Sequence, residues 1–72
     1  MLYAIMNDFR ECEIYIQNFD ENEKEKFIET HSEIGPAKVS QITDTFEKAR
    51  IAAHKESEQS MWLYNPARNK CT

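Results

Sequence analysis

Seventy-two residues hold one glycine, two prolines and two cysteines. Gly35 is the only glycine, so the Asn-Gly or Asp-Gly pair that a tight β-hairpin prefers is missing. Cys12 and Cys71 allow at most one disulfide, with one end inside an element and the other among the last residues. Together with His31 and His54 they are the soft metal ligands of the chain, spaced 19, 23 and 17 positions apart. No C-x-x-C or H-x-x-x-H pair lets one turn present two ligands, so neither a metal site nor a cofactor is expected. No apolar run reaches the length of a membrane span. Met1 to Met6 lacks a basic n-region and meets Asn7-Asp8 too soon for a secretory signal. These absences lead to the expectation of a reduced, cytoplasmic protein. A domain of this size has a core contributing only a few kcal/mol net, and oligomerisation, here a homodimer, is the expected further source of stability.

Charge is unevenly distributed. Residues 1–33 carry nine acids and three bases, a net −6, whereas residues 34–72 carry four acids and six bases, a net +2. A chain of net charge −4 is poorly suited to neutralising phosphates, which argues against nucleic-acid binding. The acidic first half is either a solvated face or a surface that steers docking onto a basic partner.

Against this background the apolar pattern stands out. Leu2, Ile5, Phe9, Cys12, Ile16 and Phe19 step by three and four residues, with no glycine or proline between them. On a helical wheel they share one arc, which predicts an amphipathic helix over about 2–18. The rival is a hairpin. Glu11 to Gln17 places Cys12, Ile14 and Ile16 on one side of a strand, and its β-branched and aromatic residues favour that reading.

A second helix is expected over 21–34. Asp20 or Asn22 caps it, Glu23 or Glu25 completes a capping box, and Phe27, Ile28, His31 and Ile34 share a face. Gly35 ends it, and Pro36 suits the first turn of the next helix. A long third helix is expected over 37–61, from the spacing of Val39, Ile42, Phe46, Ala49 and Ala53. Asn65-Pro66 breaks regular structure. The chain thus reads as one small helical domain over 1–64 with a flexible tail over 65–72: an all-α, three-helix fold. The alternative is α+β, an N-terminal β-hairpin followed by two helices, with the Trp62 segment adding a third strand.

Candidate sites are few. A Cys12–His31 nucleophilic pair has no oxyanion hole or substrate pocket to serve, and Glu25, Glu29 and Glu33 form a ridge without a second cluster, so no catalytic residue is assigned and no enzyme is expected. Met61-Trp62-Leu63-Tyr64 holds the single tryptophan and is either a cap on the core or a binding patch. In the helical reading, Tyr3, Ile14 and Tyr15 lie away from the core stripe and need a partner to cover them; in the hairpin reading they occupy the other face of a sheet. These seven residues form the expected protein-binding set. The leading expectation is a small regulator or inhibitor that occupies a partner protein's surface, a profile shared by phage-encoded inhibitors of host systems. The alternative is a nucleic-acid mimic or a transcriptional regulator using Lys38, Lys48, Arg50 and Lys55 against phosphates.

Overall fold

The computed structural model describes residues 1–33, Gly35 and 37–70. Strands β1 (Leu2–Asp8) and β2 (Glu13–Phe19) form an antiparallel hairpin. A 3-10 turn at Glu21–Glu23 leads into helix α1 (Lys24–Glu33). Strand β3 (Ala37–Thr43), helix α2 (Phe46–Ser60) and strand β4 (Leu63–Tyr64) follow, and a 3-10 turn at Pro66–Arg68 ends the regular structure. The sheet order is β3-β1-β2-β4, with β3 antiparallel to β1 and β4 parallel to β2. The chain crosses the sheet one way through α1 and back through α2. The two helices cover opposite faces, as two crossovers of the same hand require.

The expected all-α, three-helix fold is therefore overturned, and the hairpin alternative fits. The reason lies in two-sided burial. Ile5, Ile14 and Ile16 pack with Ala49, Ala53 and Tyr64 on the α2 face. Ala4, Met6, Tyr15 and Phe19 pack with Phe27 on the α1 face. A strand buried on both faces has no polar side, so its alternation disappears and an apolar run remains. The three-four stripe is an accident of that run. Leu2 and Phe19 face α1, Ile5 and Ile16 face α2, and Phe9 and Cys12 belong to the exposed turn. Each buried isoleucine contributes roughly 1.5–3 kcal/mol, more than any difference in local helix propensity.

The hairpin forms without Asn-Gly because Asp8 supplies the turn chemistry. Its Oδ1 accepts from the backbone N–H of Arg10 (2.9 Å) and of Glu11 (3.3 Å), an Asx turn. Cys12 takes the left-handed position of the four-residue loop, at φ 54°.

The helix expected over 37–61 is a strand as far as Thr43 and a helix only from Phe46. Thr45 makes the boundary, its hydroxyl accepting from the N–H of Lys48 at 3.1 Å. In β3 the register shifts at Ser40, which lets Val39 and Ile42 both face α1 despite being three residues apart. The second helix begins with its 3-10 turn at Glu21, capped by Asp20. Within it Phe27 is buried between Phe19 and His31, whereas Ile28 is exposed. Ile34, Pro36, Cys71 and Thr72 lie outside the described residues. No helix among the described residues is long and apolar enough to cross a membrane.

Of the segment read as a tail, Asn65–Lys70 runs along the outer edge of β2. Asn65 N–H donates to Ile14 O (2.9 Å), Lys70 N–H to Ile16 O (2.8 Å) and Asn18 N–H to Lys70 O (3.2 Å). Between them the side chain of Asn69 accepts from Ile16 N–H at 2.8 Å. That edge of the sheet is thereby closed.

Candidate functional site

The hairpin turn, the start of β3 and the end of α2 lie together at one end of the sheet. Asp8 pairs with Ala37 in the ladder, Leu63 with Glu13, and the ring of Phe9 meets that of Trp62. This end is held by an ionic clasp. Arg68 donates to Asp8 Oδ2 and to Glu13 Oε1, both at 2.9 Å, and its guanidinium lies 4.7 Å from the Tyr15 ring centre. Asn65 adds a bond to Glu13 at 3.1 Å. The hydrogen bond from Arg68, with those from Arg10 and Glu11, holds the Asp8 carboxyl below the usual range against the opposing effect of burial. The same bonds to Asp8 and Glu13 push Arg68 up. Burial pushes the Tyr15 phenol up, although Arg68 opposes it.

The connection from α2 to β4 is as closely specified. Met61 ends the helix in the left-handed conformation, at φ 65°, with its N–H donating to Ser57 O at 3.0 Å. The Ser57 hydroxyl donates to the carbonyl of Trp62, and Trp62 N–H donates to the Ser60 hydroxyl oxygen at 3.2 Å. Leu63 N–H donates to Cys12 O at 3.2 Å. This backbone leaves Met61 93 % exposed and Leu63 63 % exposed, while Phe9 in the hairpin turn is 57 % exposed. On the α2 side of this end is a cavity of about 380 Å³ lined by Asn7, Phe9, Glu56, Gln59, Ser60 and Trp62. Phe9 and Trp62 meet edge to face, 5.0 Å between ring centres. Glu56 accepts from Ser40 Oγ (2.7 Å), Gln41 Nε2 (2.8 Å) and Asn7 Nδ2 (3.3 Å).

The seven expected binding residues thus separate. Met61 and Leu63 are exposed, and Trp62 is half-buried against Phe9 and the core. Tyr64 is in the core, with His54 against its ring and Asn69 bonded to its hydroxyl. Ile14 and Tyr15 are adjacent on β2 and are buried on opposite faces, while Tyr3 is half-buried against Phe46 at the far end of the sheet. Sequence reasoning missed Phe9, which it spent on the helical stripe, and Glu56, which carries no local signal. Phe9 was detectable from its place after an Asx-forming aspartate.

Other candidate groups are dispersed. Cys12 is a free, exposed thiol in the turn, His31 stacks on Phe27 under α1, and His54 lies on the α2 face. Lys38 belongs to β3 rather than to a helix; Lys48 pairs with Asp44 and Arg50 with Glu47. Those exposed pairs hold Asp44 and Glu47 below the usual carboxylate range. No protein-family model matches the chain, and no curated protein or solved structure is significantly similar to it.

Proposed function

We propose that this protein is a binding module that regulates or inhibits a partner protein by occupying its surface, and that the end formed by Phe9, Met61, Trp62 and Leu63 is the part that docks. The observation that carries the reading is Met61. It is almost fully exposed, yet it stands in a conformation that costs an L-residue free energy, held by its own N–H on Ser57 O and by the bonds of the following Trp62 backbone to Ser57 and Ser60. Local folding has no use for a large apolar side chain there; a partner surface does. Methionine and tryptophan are over-represented at interface centres because they bury much area and, for methionine, adapt in shape. The docking reading requires no catalytic group. A reducing cytoplasmic setting suits the exposed Cys12 thiol.

The test pairs the native chain with Met61→Ser/Leu63→Ser in affinity capture from the producing cells, followed by reconstitution with the purified captured protein. The expected result is a binary complex that the double variant weakens at least tenfold. Equal binding by both forms refutes the assignment of this surface. A second reading rests on β3, whose outer edge pairs with no strand among the described residues. A second copy could extend the sheet there as a homodimer, although the Ser40 bulge makes that edge irregular. Sedimentation of the purified chain separates the two readings.

A further inference from the structure

Resting on the docking reading above, we infer that the cavity between the hairpin turn and the last turn of α2 receives an arginine side chain of the protein partner. Three features converge on a planar cation. The first is Glu56. Its carboxylate lines the cavity and is fixed by three neutral donors, Asn7, Ser40 and Gln41, which orient it but leave its charge uncompensated. No ion pair among the described residues includes Glu56.

The second is the end of α2. The negative end of the helix dipole falls at Gln59 and Ser60, which line the cavity, and the last turn contains no basic residue of its own. A cation supplied from outside completes that helix end. The third is the wall. Phe9 and Trp62 offer aromatic surface beside the carboxylate, and a guanidinium combines stacking on such rings with hydrogen bonds to an acid at its edge. An ammonium is more strongly hydrated and fits such a wall less well. Met61, almost fully exposed and placed between Ser60 and Trp62 of the cavity wall in the chain, favours a protein over a small free cation, because it offers apolar contact area beyond the cavity. The chain's net charge of −4 adds long-range attraction for a basic surface.

The test varies the ligand before the protein. A short synthetic peptide with a central arginine between leucines is titrated while the emission and indole N–H resonance of Trp62, the single tryptophan, are followed. Its citrulline counterpart keeps the shape and removes the charge; its lysine counterpart keeps the charge and removes the plane. The arginine peptide is expected to perturb Trp62 saturably, at least tenfold more tightly than citrulline and at least threefold more tightly than lysine. Glu56→Gln should weaken the arginine peptide at least fivefold and leave the citrulline peptide unchanged, a contrast that loss of folding cannot produce. Equal binding of arginine and citrulline peptides, or no perturbation of Trp62 by any of them, overturns the inference. If the peptides show no preference while Met61→Ser/Leu63→Ser still loses the partner, the docking reading stands and the arginine assignment falls. If the arginine preference holds while that double variant keeps the partner, the cavity stands and the docking reading falls.

Discussion

Replacing Met61 by glycine separates what this residue does for the fold from what it does for binding. At φ 65° a non-glycine residue costs roughly 1–2 kcal/mol. Glycine removes that cost but brings extra freedom to the unfolded chain, about 0.4–1 kcal/mol. The side chain is 93 % exposed, so its loss forfeits little buried area, and the bond from Met61 N–H to Ser57 O is a backbone bond that glycine keeps. The net expectation is stabilisation of about 0.5–1 kcal/mol. For a chain of this size, 1 kcal/mol moves Tm by roughly 4–8 °C, so Met61→Gly should melt about 3–6 °C above the native protein. Met61→Ala is the control, because alanine keeps the strain while removing the side chain. Thermal and urea denaturation followed by circular dichroism measure both variants. If Met61→Gly is no more stable than Met61→Ala, the left-handed cap is not strained and the argument for a retained functional residue fails. Both variants should weaken partner binding, since both remove the exposed thioether.

Arg68→Ala removes two charge-assisted bonds and the contact with Tyr15, and should cost about 2–3 kcal/mol, whereas Arg50→Ala, which breaks only an exposed pair, should leave the urea midpoint essentially unchanged; urea denaturation compares them. Because the folded-state value of Asp8 lies below its ordinary value of 3.8, its contribution is fully present above that ordinary value and is lost as pH falls through the depressed one. The stability gap between the native chain and Asp8→Asn should therefore be widest at about pH 7 and shrink towards about pH 2, as measured by denaturation across that range. Ala53→Leu should destabilise by about 1–3 kcal/mol, because Ala53 is fully buried where α2 meets β1 and β2 and has no room for three more carbons. Thermal melting reads that loss directly.

Some of this architecture was visible in the sequence. The acids and cap of the second helix, the small residues Ala49 and Ala53 on α2, and the β-branched and aromatic run Ile14-Tyr15-Ile16 all pointed where they lead. The choice between helix and hairpin turned on Tyr3, Ile14 and Tyr15, which a single amphipathic face does not explain and a sheet buried on both faces does. Strand β3 was hidden because its bulge places Val39 and Ile42 on one face at helical spacing. The binding end was half legible. Met61-Trp62-Leu63 drew attention as an apolar run next to a helix end, but Phe9, Asn7 and Glu56 join it only through the hairpin register and the crossover of α2. Long-range pairings of that kind leave no local periodicity to read.

The docking surface is tested most directly by amide hydrogen exchange of the chain with and without the purified partner. Protection is expected at residues 9–12 and 59–63, where the turn and the α2–β4 connection meet, and none along α1 or β3. Protection that instead falls on Lys24–Glu33 or on the outer edge of Ala37–Thr43, with the hairpin end unchanged, would contradict the account.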